Sequence, residues 1–285
     1  MQCNVFAKGD VPHNHVCKTY ALQGEDSPRK DNLAPGGFRR QHVETSNEQG
    51  HQPGWTISVL HNQPVPTMPS HLKIDFVSDI SCPWCAIGLT ALEQALAEVR
   101  DAVTADIHVQ PFELNPAMPA GGQDITEHLT QKYGSTPEQQ AQIRATIAQR
   151  GADVGFVFNP DGRGRIYNTF DAHRLLHWAG SVSTAQQLAL KKALLVACHG
   201  QRQVMESHAV LMQAAAQAGL DVPRAQAILA SDEFAEQVRA AEAFYTRQGI
   251  HSVPAVIIND QHLISGGQPT AVFAQALRQI AQENL

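Results

Sequence analysis

The residues best suited to chemistry sit together at Cys82-Pro83-Trp84-Cys85, two thiols three positions apart. At a helix start this spacing has a specific use. The first thiol lies off the helix end, facing backbone N–H groups whose dipoles favour thiolate over thiol. The thiolate is the species that attacks a disulfide sulfur, and the mixed disulfide it forms must be resolved by a second thiol within reach. Cys82 is therefore the expected nucleophile. Cys85, one turn on, is the expected resolving and more buried thiol. Pro83 removes a competing donor and stiffens the turn, and Trp84 gives an apolar flank for a substrate to pack on. The same pair could hold zinc, but zinc takes four ligands, usually with a second Cys or His pair at tight spacing. Cys198-His199 is only a lone doublet, and Cys3, His13, His15 and Cys17 are loosely scattered. No metal site is expected, and no phosphate loop, dinucleotide-binding glycine pattern or paired catalytic acids are found. The redox-active pair itself stands in for a cofactor.

The elements that must position this pair are legible on either side. Leu72-Lys73-Ile74-Asp75-Phe76-Val77 alternates and favours a strand. Ser81 is placed to cap a helix, and Pro83 falls in the first helical turn, where its missing N–H does no harm. Leu89, Leu92, Leu96 and Val99 recur at helical spacing, predicting a helix from 83 to about 99. Asp106-Ile107-His108-Val109-Gln110-Pro111-Phe112 fits a second strand, completing a β-α-β unit with the cysteines at the strand-to-helix turn. Residues 123–248 read as mostly helical, interrupted by a loop at Asp153 to Ile166. Ala255-Val256-Ile257-Ile258, the turn signal Asn259-Asp260 and Gln261-His262-Leu263-Ile264 predict an antiparallel pair, followed by a helix near Thr270 to Gln282. Pro254 precedes the first strand of that pair. A cis Val253–Pro254 bond there would turn the chain sharply and offer the Val253 backbone to an extended substrate. This is the thioredoxin order with helices inserted in its middle. The expected fold is α/β, a thioredoxin-like domain with an inserted all-helical domain. Its first part spans 68–118, the helical insertion 119–230 and the second part 231–285.

Residues 1–67 carry scattered Pro, Gly, Asn, Gln and His with sparse apolar residues of no period. Such a segment buries too little to offset its ordering entropy, so a disordered extension is expected, with Met68 an alternative natural start. The formal net charge of −6, without a long basic run, argues against nucleic-acid or anionic-membrane partners. There is no apolar stretch of membrane-span length and no signal-peptide pattern. Five cysteines, odd and few for 285 residues, point to a reducing, cytoplasmic setting rather than a secreted disulfide framework.

Several segments resemble those of DsbA-family oxidoreductases of the FrnE-like branch. Ser78-Asp79-Ile80-Ser81-Cys82-Pro83-Trp84-Cys85-Ala86-Ile87-Gly88 is similar to that branch's active-site segment. Pro111-Phe112-Glu113-Leu114-Asn115-Pro116 with Met118-Pro119 resembles its next motif, and Asn168-Thr169-Phe170-Asp171-Ala172-His173-Arg174-Leu175-Leu176-His177-Trp178-Ala179 its helical-domain signature. Gly249-Ile250-His251-Ser252-Val253-Pro254-Ala255 and Ser265-Gly266-Gly267-Gln268 look like its cis-proline loop and C-terminal turn. The resemblance covers about 72–285. It implies a thioredoxin domain interrupted by a helical domain, with dithiol oxidoreductase or disulfide isomerase activity. Cys198-His199-Gly200-Gln201-Arg202 departs from the aromatic-rich segment the branch tends to carry there. Kappa-class glutathione transferases and 2-hydroxychromene-2-carboxylate isomerases share the layout but typically place serine where Cys82 stands. A glutathione-dependent small-molecule isomerase or transferase is therefore the alternative activity. The catalytic pair is expected to be Cys82 and Cys85, with Pro83, Trp84, Val253 and Pro254 against the substrate. That substrate would be a client protein or a small-molecule thiol or disulfide, glutathione can serve as co-substrate, and a homodimer is compatible with this reading. Asn168, His173 and Arg174 either line the cleft between domains, where they would hold a small acidic ligand, or pack helices. Asp75 lies near the pair in sequence, and as a buried carboxylate it would be able to take the Cys85 proton.

Overall fold

In the computed structural model, residues 69–283 and a short strand, β1 (Lys18–Thr19), are described. The expected disorder of 1–67, the Cys3–Cys17 cluster and the role of Met68 otherwise lie outside the described residues.

The alternating run seen in the sequence becomes β2 (Ser70–Ser78), and the Ile107 and Val109 run becomes β3 (Val103–Pro111). The two pair in parallel, Ile74 beside Ile107, with α1 (Pro83–Glu98) as the crossover. A parallel pair requires such a crossover, because its strand ends lie far apart. The hairpin β6 (Ala255–Ile258) and β7 (His262–Ser265) turns at Asn259 and Asp260, both with positive φ. Short polar side chains tolerate that conformation. Strand β6 runs antiparallel to β2, and the described sheet has the order β1-β7-β6-β2-β3. The interior strand β2, between β6 and β3, is buried on both faces. Leu72, Ile74 and Phe76 join α1 and the last helix, Thr270–Glu283, in one core, while Val77 on the opposite face packs with Tyr245, Ile250 and Ala255. The period of 2 thus separates two apolar layers.

Between β3 and β6 the chain builds a helical block. It runs through β4 (Gln123–Asp124), α2 (Ile125–Tyr133), α3 (Pro137–Asp153), β5 (Arg165–Ile166), α4 (Phe170–Val182), α5 (Thr184–Leu195), α6 (His208–Gln217), α7 (Val222–Leu229) and α8 (Ala235–Arg247). The final helix is α9. The helices α4 to α7 share a core of their own, including Leu175, Leu190, Leu194, Leu211 and Ile228, and Ile80 and Val109 of the sheet side join it. After α5 the chain does not stop but widens into a π-helical turn, Val196–Gly200. This turn is where the sequence departs from the aromatic pattern of the resembled branch, and such turns are often found at functional sites.

Candidate active site

The end of β2, the turn through Asp79 to Ser81 and the start of α1 place Cys82 as the N-cap residue, with Pro83 at the first helical position. Ser81 is not the cap: its hydroxyl donates to Asp79 Oδ2 at 2.8 Å and its N–H to Asp79 Oδ1 at 3.2 Å. The local carboxylate outcompetes the helix end for that hydroxyl. Both cysteines are thiols here, and Cys82 is 4% exposed. The Cys82 thiol faces Val253 O at 3.5 Å, across the cis Val253–Pro254 bond. The Cys pair and the Val253-Pro254 loop are therefore neighbours, although they are far apart in the chain. Two glycines make the approach close. A Cβ on Gly88 would stand 3.1 Å from Pro254 Cγ, and one on Gly267 would stand 2.9 Å from Trp84 O. Trp84 packs partly buried against the core beside Val253.

The two thiols differ sharply in acidity. The Cys82 pKa is lowered by a hydrogen bond from the Cys85 thiol, against the opposing effect of burial, and the backbone N–H groups of Cys85 and Trp84 add to the lowering. The Cys85 pKa is pushed well above its ordinary value by burial and by the neighbouring Cys82. This split is what attack followed by resolution requires: an anionic sulfur at the rim and a protonated one behind it.

Asp79 ties this turn to the rest of the molecule. Besides Ser81, its carboxylate accepts from Leu114 N–H at 2.7 Å and from the Thr169 hydroxyl at 2.9 Å. His173 Nε2 stands 3.5 Å from Asp79 Oδ1, at ion-pair distance but off hydrogen-bond alignment. Although burial opposes ionisation, these donors and His173 hold the Asp79 carboxyl well below the usual range. Other groups of the helical block reach the same turn. His199 Nε2 lies 2.9 Å from Ile80 O, Arg163 donates to Ser81 O, and Lys191 of α5 is fully buried with no hydrogen bond at Nζ among the described residues. Burial lowers the Lys191 pKa, opposed by the charges of Cys85 and Asp79. The ammonium in turn works to lower the pKa of Cys85.

The remaining sequence candidates are placed as follows. Asp75 is buried but engaged by Lys73 at 3.0 Å and by Gln110 Nε2 at 2.6 Å. Asn168 caps the entry to α4, its side chain accepting from Phe170 N–H at 2.8 Å. Arg174 is buried among carbonyls, donating to Glu233 O, Ile228 O and Ser231 O and to Asp171. It is thus a helix-packing group rather than a cleft cation. His173 alone of that trio faces the active-site turn. Cys198 is a buried residue of the helical core. Asp79, Arg163, Lys191 and His199 were not legible as site residues. The Asp79 position inside the motif was the one available signal.

A family model described as a DSBA-like thioredoxin domain matches residues 73–278, and the chain belongs to that family. Among solved structures, a probable DsbA oxidoreductase from Streptomyces coelicolor is 33% identical, the match covering 75% of this chain and 92% of that one with a TM-score of 0.67. A 2-hydroxychromene-2-carboxylate isomerase shares the fold at 14% identity, covering 74% of this chain and 97% of its own, with a TM-score of 0.57. So does the cytosolic disulfide reductase DsbM from Pseudomonas aeruginosa, solved with GSH, at 15% identity over 74% and 98% of the two chains and a TM-score of 0.50. No curated protein sequence matches the chain. The protein is thus an α/β thioredoxin-fold member of that family with a helical insertion, and its fold is shared by oxidoreductases and an isomerase.

Proposed function

We propose that this protein is a dithiol–disulfide oxidoreductase working through Cys82 and Cys85. The opposed acidities of the two thiols carry the reading. In the reductase direction the Cys82 thiolate attacks one sulfur of a substrate disulfide, forming a mixed disulfide and releasing the first thiolate, which takes up a proton. Cys85 then loses its proton and attacks Cys82 Sγ, releasing the second thiolate and leaving the enzyme oxidised. The charge of Lys191, which works to lower the Cys85 pKa, eases the loss of that proton to solvent. A thiol must then reduce the Cys82–Cys85 disulfide. Glutathione is the thiol to test first, since DsbM, of the same fold, was solved with GSH. With an oxidant supplied the same steps run backwards. Val253 and Pro254 form one wall of the substrate groove, with Trp84 and Pro83 beside the sulfur. The low, odd cysteine count supports a cytoplasmic setting, and among the described residues no helix is long and apolar enough to cross a membrane.

Insulin-disulfide reduction by dithiothreitol tests this. Catalysis by wild type, its loss in Cys82→Ser and a trapped mixed disulfide in Cys85→Ser are expected. The alternative, a glutathione-dependent small-molecule isomerase or transferase, draws support from the 4% exposure of Cys82, which suits a slim substrate. It needs no resolving thiol, so full turnover of a small-molecule substrate by Cys85→Ser would favour it.

A further inference from the structure

Three cations of the helical block end on the segments that frame the active-site turn, each from a different element. Lys132 of α2 donates to Leu114 O and to Asn115 Oδ1, each at 2.8 Å, and Leu114 is the residue whose N–H holds Asp79. Arg150 of α3 donates to Gly267 O at 3.2 Å, and Gly267 packs against Trp84 O and Gly88. Arg163, from the loop before β5, donates to Ser81 O, next to Cys82. Neutral oxygens orient these groups without cancelling their charge. Lys73, Lys192, Arg224, Arg239 and Arg278 each stand within ion-pair distance of a carboxylate. Among the described residues Lys132, Arg150 and Arg163 have no such partner; their contacts are the oxygens just named. Lys132 is exposed and both arginines are half-buried, so all three keep a face to solvent. Lys132 and Arg163 also converge: burial lowers the His128 pKa, and the charges of both cations lower it further. The carboxylate inside this frame, Asp79, is fully buried and taken up by Ser81, Leu114 and Thr169. The frame therefore carries uncancelled positive charge in a chain whose net charge is −6.

Resting on the oxidoreductase reading, we propose that the preferred substrate disulfide carries a carboxylate beside its sulfurs, with Arg150 the residue that sets this preference and Arg163 and Lys132 reinforcing its field. Charge of one sign around a reactive group raises the local concentration of an oppositely charged partner and speeds its arrival. A guanidinium has five N–H donors in a fixed fork, and Arg150 spends only Nη2 on Gly267 O. The rest of the fork is open to a carboxylate, in the geometry that makes such pairs strong. A cationic disulfide meets the same three groups as repulsion. Trp84, Val253 and Pro254 are uncharged, so they shape the groove without choosing the sign of what enters it.

The test mixes the reduced full chain with dithiodipropionate, bis(hydroxyethyl) disulfide or cystamine, which are anionic, neutral and cationic. Each disulfide that reacts turns the Cys82–Cys85 dithiol into a disulfide and leaves as two thiols. Acid quenching and mass spectrometry count the thiols that remain, and each rate is divided by that of free mercaptoethanol with the same disulfide. At about 0.01 M salt, where the Debye length is about 30 Å, the normalised rate should be about tenfold higher for the anion than for the cation, and the ratio should fall toward one at about 1 M. Arg150→Gln should slow the anionic disulfide about fivefold, and Arg150→Lys, which restores the charge, should keep most of the rate. Arg100→Gln removes the same charge from an exposed position beyond the far end of α1, about 24 Å along the helix from Cys82, and should leave the ratio unchanged. Equal normalised rates for the three disulfides, a faster cystamine, an Arg150→Lys as slow as Arg150→Gln, or an equal loss in Arg100→Gln would overturn the preference while leaving the dithiol chemistry standing. A dithiol that none of the three oxidises would overturn the oxidoreductase reading and the preference with it.

Discussion

The active-site turn is approached from two sides built on different principles. On the thioredoxin side, contacts are mostly local: the helix start, the Cys85 thiol one turn on and Trp84, joined by the Val253-Pro254 loop, which comes from far along the chain and is seated by Gly88 and Gly267. On the helical side, contacts are polar, buried and distant in sequence: Thr169 on Asp79, His173 beside it, His199 on Ile80 O, Arg163 on Ser81 O, and the buried Lys191, without a hydrogen-bond partner among the described residues. The first side sets which sulfur reacts. The second holds the turn and tunes its charge. The helical insertion thereby supplies half of the surroundings of the Cys82–Cys85 turn.

Substitutions can break or sharpen this division. The largest effect belongs to the thioredoxin side: Cys82→Ser should bring insulin reduction down to the dithiothreitol background with the fold unchanged by circular dichroism. Retained catalysis would mean that the motif does not carry the chemistry. Next comes the junction of the two sides. Asp79→Ala leaves Leu114 N–H and the Thr169 hydroxyl without their acceptor, and such a loss in a buried charged network costs about 3–5 kcal/mol. Thermal melting should show a fall of about 10 °C. Asp79→Asn keeps the shape but removes a negative charge that opposes ionisation of Cys82. Thiolate absorbance near 240 nm should then titrate at lower pH than in wild type; an unchanged midpoint would separate the junction from the thiol.

A smaller and mixed effect is expected from Lys191→Met. Removing a buried ammonium that has no hydrogen bond among the described residues should leave stability equal or raise it by about 1 kcal/mol in urea unfolding. The pKa of Cys85 should rise further, because the ammonium works to lower it, and the mixed disulfide should persist longer in stopped-flow turnover. Loss of stability together with unchanged resolution would place Lys191 in packing alone. The smallest effect concerns pH. Burial holds the His199 pKa well below 6.5, so its neutral form adds stability that is complete above that value and is lost as pH falls below it. Wild type should lose a few degrees of Tm between pH 7 and 5, and His199→Asn should lose fewer.

The same division explains what the sequence could reveal. Periodicity and turn chemistry located β2, α1, β6, β7 and α9 within a few residues, because each is decided by neighbours in the chain. The cysteines and Val253-Pro254 were legible because their chemistry depends on a helix start and a strand start. Asp79 was visible only as part of a motif, since its partner Thr169 lies 90 residues on. Lys191 and His199 sit on helical turns whose periodicity speaks of packing, and nothing local says that they turn toward the active-site segment. Ser81 failed as a cap for a local reason instead: its hydroxyl had a nearer acceptor two residues back. Arg174, with the charge of a ligand-binding residue, is consumed by carbonyls of α7 and the turn after it, a demand set by tertiary structure.

His199 and Arg163 end on the carbonyl oxygens of Ile80 and Ser81 rather than on any side chain of the motif. A main-chain oxygen has the same chemistry whichever residue carries it. The two residues between the cysteines can therefore drift over generations without loosening the grip of the helical block. Descendants of this chain can explore new thiol reactivities at Pro83 and Trp84 while inheriting the cradle intact.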